Sequence, residues 1–318
     1  MPDPLDVFKA VAVALFASAL MGAVGHRFSG GRPSGWVWSL AIGTGAYLGL
    51  ATLGIRPRWP IREDQHRLLG LVMPAILLIE AAGGALRPPR WLILGGRLAA
   101  SLAVAPVILY GSIYVADLAG PKSAEWSPAR RWLIFSGLGL ALFGVWSCLV
   151  RTQRQSGSSV RTPLALAMAI AGAGLTVMLS GYASGGLVGL PLAGAIAGAV
   201  ATAAWWREDA LGAAHGVGVG VVGLFSVLAI GFFFGRLRVE PAILLFLSPL
   251  LAAIAEAPLP FRLARGWRSA AGLALVAIVV GLVVVSTARR FAVDAGLVDD
   301  QLERANTFWA VAASESGS

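Results

Sequence analysis

Long stretches in which nearly every position is apolar alternate with short polar segments along the whole chain. The apolar stretches run over 5–25, 36–54, 68–86, 91–116, 132–150, 163–182, 187–206, 214–235, 241–257 and 269–288. A bilayer core about 30 Å thick is crossed by about 20 helical residues rising 1.5 Å each, which is the scale of these stretches. Lipid offers a peptide group no hydrogen-bond partner, so each stretch must be helical or belong to a closed barrel. The two-residue alternation of a barrel strand is absent. The pattern therefore predicts an all-α, polytopic transmembrane bundle of about ten spans with short connections, occupying 1–288, and a C-terminal tail over 289–318.

That tail has its own periodicity. Phe291, Ala295, Val298, Leu302, Ala305 and Trp309 recur at alternating spacings of four and three, while Asp294, Asp299, Asp300, Glu303 and Arg304 take other positions. This spacing predicts an amphipathic helix lying on the membrane surface or on a protein partner. Near the other terminus, Ala17-Ser18-Ala19 resembles a small-residue cleavage site. Asp3 and Asp6 outnumber Lys9 where a signal peptide carries positive charge, so a first membrane helix is expected instead.

Composition fits a lipid-solvated fold: of 318 residues, 57% are apolar and only 13% charged, and the mean hydropathy is +0.77. The formal charge of +9 sits almost entirely between the apolar stretches, a placement suited to anionic lipid headgroups. No segment is long and polar enough to build a nucleic-acid-binding module. Tryptophans 36, 59, 91, 126, 132, 205, 206 and 267 fall at the ends of the stretches, as rings at headgroup depth should. Lys and Arg divide eleven against thirteen between the two sides, which sets no orientation. The plasma (inner) membrane is the expected location.

Two echoes suggest internal repetition. Arg62-Glu63-Asp64 recurs as Arg207-Glu208-Asp209, five spans later, which would divide the bundle into inverted halves over 1–150 and 161–288. Pro74-Ala75-Ile76-Leu77-Leu78 recurs as Pro241-Ala242-Ile243-Leu244-Leu245 at an even offset, which would imply parallel halves. The two schemes exclude each other. In architecture alone, about ten spans in some 300 residues resembles the drug/metabolite transporter superfamily. No motif of that family matches residue by residue, so no residue role is carried over.

Catalytic signatures are absent: there is no Gly-x-Ser-x-Gly, no His-Glu-x-x-His and no phosphate-binding loop ending in Gly-Lys-Ser/Thr. Gly218, Gly220 and Gly223 spell Gly-x-Gly-x-x-Gly but lie inside an apolar stretch with no strand before them, which reads as a helix-packing seam. Cys148 is the single cysteine, and His26, His66 and His215 have no metal-ligand spacing, so no cofactor or metal is expected.

Ionisable residues within spans are the sharper signal, because an unpaired charge near the bilayer centre costs about 2.5 to 3.5 kcal/mol. Glu80, Arg97 and Glu256 are such residues, and they are the candidates for a substrate path. Glu80 lies six residues before the end of its stretch and Arg97 six after the start of the next. The tight Arg87-Pro88-Pro89-Arg90 turn therefore sets them at equal depth, about 9 Å below the interface. Glu256 follows Pro249 as Glu80 follows Pro74. Each proline frees the carbonyl four residues earlier, on Leu245 and Gly70, and transporters build ion sites from such groups. The leading expectation is a small-molecule or ion-coupled permease. The alternatives are a non-catalytic subunit or scaffold of a membrane complex, and a membrane-embedded enzyme acting on lipid or glycan carriers.

Overall fold

The computed structural model describes residues 3–28, 35–61, 63–86, 88–115, 126–156, 160–206, 210–254 and 265–295. Among these the chain forms ten principal helices and no strand: α1 (Pro4–Phe28), α2 (Gly35–Thr52), α3 (Asp64–Leu86), α4 (Arg90–Leu109), α5 (Pro128–Ser156), α6 (Arg161–Leu179), α7 (Ala183–Trp206), α8 (Ala210–Phe233), α9 (Val239–Ile254) and α10 (Arg265–Asp294). Eight are long and apolar enough to cross a membrane. The remaining two are α9, with 16 residues, and α2, whose four glycines, two tryptophans and Tyr47 dilute its apolar content. The protein is thus an all-α, multi-pass membrane protein.

The bundle is arranged around α8. Its apolar window is 89% buried, against 22% for α1 and 17% for α10. Helices α2, α3, α5 and α6 pack on α8, α7 is held between α1, α2 and α6, and α10 packs on α6 and α9. Outward-facing Phe8, Phe16 and Leu20 on α1, and Leu275, Ile278 and Leu282 on α10, form large apolar surfaces of the kind lipid tails cover. Small residues allow the closest approaches. Thr202 of α7 donates a hydrogen bond to the Ala19 carbonyl of α1 at 3.0 Å, and Ser18, inside the cleavage-like tripeptide, is buried mid-helix.

Several helices depart from the apolar stretches for definite reasons. Helix α3 begins at Asp64, four residues before the stretch at 68, because its first polar turn is itself packed inside the protein. Helix α4 stops at Leu109, where Gly111 takes a left-handed conformation (φ 73°). Helix α10 runs through Arg289 and Arg290 to Asp294, past the expected end at 288, so the first turn of the predicted tail helix continues a membrane helix. The rest of the tail's apolar stripe lies outside the described residues. Trp126 is a correction to the tryptophan belt: it is buried against Tyr114, Phe135 and Phe233, whereas Trp59, Trp91, Trp132, Trp205 and Trp267 are exposed.

Candidate functional site

Helix α3 carries the polar chemistry of the bundle at both of its ends. Pro88 and Pro89 stop helical geometry after α3 and Pro89, extended at ψ 147°, starts α4, so the two helices turn back on each other within a few residues. Glu80 and Arg97 meet across this hairpin. Arg97 Nε donates to Glu80 Oε1 at 2.8 Å and a terminal guanidinium nitrogen donates to Oε2 at 2.9 Å. Glu80 is 1% and Arg97 3% exposed. The planar fork satisfies both carboxylate oxygens at once, a match lysine could not make.

Two other helices close over the pair. The Arg97 guanidinium lies 5.3 Å from the centroid of the Trp146 ring on α5, a cation–π contact in a desolvated setting. From the centre of the bundle, Gly218 of α8 completes the enclosure. A Cβ there would lie 2.5 Å from Trp146 and 2.8 Å from Glu80 Oε1. The Gly-x-Gly-x-x-Gly run is therefore the seam on which the charge pair, Trp146 and, farther along at Gly223, Leu192 and Met73 pack. Near the pair, Trp146 Nε1 and the Ser101 hydroxyl, one turn along α4 from Arg97, are buried with no hydrogen-bond partner among the described residues, as is the Ser226 hydroxyl on α8.

At its other end α3 holds a second buried carboxylate, one the apolar pattern had assigned to a connection. Asp64 accepts from the Tyr182 hydroxyl at 3.0 and 3.1 Å. Tyr182 reaches it because α6 ends in a glycine cap: Gly181 takes φ 90°, a left-handed conformation that only glycine adopts freely, and the Tyr182 amide turns back to the Val177 carbonyl at 3.3 Å. Burial, and after it the Asp64 carboxylate, raise the Tyr182 phenol above its ordinary value, so the hydroxyl keeps the proton it donates. Beside them Arg67, also buried, donates to the Ile108 carbonyl at 3.1 Å and lies 5.8 Å from the centroid of the Tyr110 ring, which ties the start of α3 to the end of α4. The available sequence signal was the acid in a first helical turn directly ahead of an apolar run.

Between the two ends, α3 is irregular. Leu68–Val72 form a π-helical turn that ends two residues before Pro74, and the Tyr47 hydroxyl of α2 donates to the Leu69 carbonyl within it. A widened turn ahead of a proline accommodates the missing amide hydrogen, and such turns mark places where a helix can change its local winding. On α9 the carbonyl freed by Pro249, that of Leu245, accepts from the Ser248 hydroxyl at 2.9 Å. Glu256, the third candidate, lies outside the described residues. Among the described residues no three His, Cys, Asp or Glu side chains converge as a metal ion would require.

No protein-family model matches the chain, and no curated protein matches it.

Proposed function

We propose that the protein is a small-molecule or ion-coupled permease of the plasma (inner) membrane in which α3 is the moving element. The observation that carries this reading is the construction of α3. A buried carboxylate stands near each end, each closed by a side chain from a different part of the bundle, and a π-helical turn and a proline lie between them. Opening one end while the other stays closed is the requirement of alternating access, and a locally rewound helix meets it without dismantling the bundle. Stability alone is a poor reason for the buried charges, because apolar side chains of similar volume commonly serve as well. In this reading Glu80 and Arg97 close one end of the path, and Asp64 and Tyr182 close the other.

A non-catalytic subunit of a membrane complex is the second reading, favoured by the full mutual pairing of Glu80 and Arg97. The two are separated by solvent access. With Cys148 replaced by serine, single cysteines at Ser101 and Ser226 are introduced and treated in proteoliposomes with a membrane-impermeant maleimide. A permease exposes these buried positions in turn, at rates that change with an imposed pH gradient, and Glu80→Gln abolishes pH-dependent solute uptake while leaving insertion intact. Two cysteines that stay unreactive under every gradient, with Glu80→Gln lowering only the melting temperature, would leave the subunit reading in its place.

A further inference from the structure

A cavity beside the Tyr182 end of the path just proposed lies between the end of α6, the α8–α9 turn and the end of α10. It holds about 560 Å³, within the range of sites that enclose a small ligand. Leu179, Ser180 and Gly181 form one wall, and Arg236, Leu237, Arg238 and Pro241 another. The third wall is the last turns of α10, with Arg289, Arg290, Phe291 and Asp294. Four arginines against one aspartate give this lining a formal charge of +3. No ion pair or side-chain hydrogen bond among the described residues engages any of the four. They come from two separate segments, and the Arg236 amide donates to the Ser180 carbonyl at 3.2 Å, fixing the α8–α9 turn against α6.

We propose that this cavity binds the phosphate of an anionic membrane lipid. Depth is the first argument. The apolar run of α10, about 20 residues from 269 to 288, spans about 30 Å, so Arg289 and Arg290 stand where the hydrocarbon gives way to headgroups. Chemistry is the second. Arginine forks bind phosphate oxygens in pairs, and a phosphate would neutralise the surplus positive charge that four of them, converging from two segments, keep among the described residues. The third is the surface leading away from the cavity. Val293 in its lining, and Val285 and Leu282 farther back on α10, are 62%, 51% and 65% exposed, an apolar track on which an acyl chain can lie while its headgroup is held. A soluble phosphate would make no use of that track, which is why the lipid is the chosen ligand. Basic cavities between helix ends at this depth are places where acidic lipids are held in preference to neutral ones.

The test is native mass spectrometry of the detergent-purified full chain with phosphatidylglycerol, phosphatidylcholine and inorganic phosphate as separate probes. Retention of phosphatidylglycerol over phosphatidylcholine by about tenfold or more is expected, equivalent to about 1.4 kcal/mol. It should be lost in both R236Q/R238Q and R289Q/R290Q and kept in R56Q/R58Q, which removes two exposed arginines outside the cavity. All three pairs are exposed, and melting temperatures within a few degrees of the parent establish that folding is intact. Equal retention of the two lipids, an unchanged preference in either cavity variant, or a loss as large in R56Q/R58Q would overturn the proposal. Displacement of phosphatidylglycerol by inorganic phosphate would assign the cavity to a soluble anion and overturn it as well. Deleting residues 296–318 and finding lipid retention abolished would place the ligand's contacts in the tail, with the same consequence.

Discussion

Arg97 grips Glu80 through two parallel hydrogen bonds, at 2.8 and 2.9 Å, while Trp146 covers the guanidinium and Gly218 leaves room for the carboxylate. Each charge is tolerable in this interior because the other is there. Arg97→Met strands a buried carboxylate and is expected to cost about 3 to 5 kcal/mol, whereas Glu80→Leu/Arg97→Met together should recover most of that loss. Fluorescence-monitored thermal unfolding in detergent checks both. A double variant as unstable as the single would show that the pair is not the source of the effect.

Gly218 stands where any side chain would strike that arrangement. Gly218→Ala drives a methyl against Trp146 and Glu80 and should destabilise by about 1 to 3 kcal/mol. Gly137→Ala and Gly144→Ala on α5 meet nothing within 4 Å. These two should be neutral, or stabilising by up to about 1 kcal/mol through helix propensity. The three melting temperatures, measured side by side, distinguish local collision from a general intolerance of alanine.

At the far end of α3, Tyr182→Phe removes the hydroxyl that donates to the Asp64 carboxylate, with an expected cost of about 1.5 to 3 kcal/mol. Combined with Asp64→Asn the losses should not add, because both substitutions break one interaction. A double-mutant cycle on unfolding free energy reads the coupling, and simple additivity would show that the two residues act separately.

Tyr47→Phe takes away the donor that satisfies the Leu69 carbonyl in the π-helical turn. A loss of about 0.5 to 1.5 kcal/mol is expected, concentrated locally. Hydrogen–deuterium exchange should accelerate over the peptide containing Leu68–Val72 and stay unchanged over α7. Uniform acceleration across the bundle would mean that the hydroxyl supports the whole fold and not this turn.

The helical class was legible because a membrane solvent leaves the backbone few choices: the ten apolar stretches correspond to ten helices among the described residues, eight of them long and apolar enough to cross a membrane. The Glu80–Arg97 contact was legible for a related reason, since a four-residue turn containing two prolines fixes depth and neither charge tolerates lipid. Rotation about each helix axis, which decides whether side chains at equal depth meet, is set by packing partners such as Trp146 and Gly218 that lie far away in sequence. Asp64 was misread as part of a connection because composition counts a polar residue as outside. Here Tyr182 supplies its hydrogen bond, and only the left-handed turn at Gly181 reveals that. The arginine cavity escaped for the same reason: its four cations come from two segments separated by fifty residues and read, one by one, as ordinary charges at span ends.

The pairing of Glu80 with Arg97 also determines how the protein meets an electric field. Joined, the two residues form a dipole without net charge, and the membrane potential exerts almost no force that would drive them across the bilayer. Replacing Glu80 by glutamine removes that balance and leaves Arg97 as a lone positive charge about 9 Å inside a core about 30 Å thick, where it senses about a third of the potential drop, roughly 0.7 kcal/mol for each 100 mV. The loss of one carboxylate charge thus converts a voltage-silent helical hairpin into a voltage-sensing one.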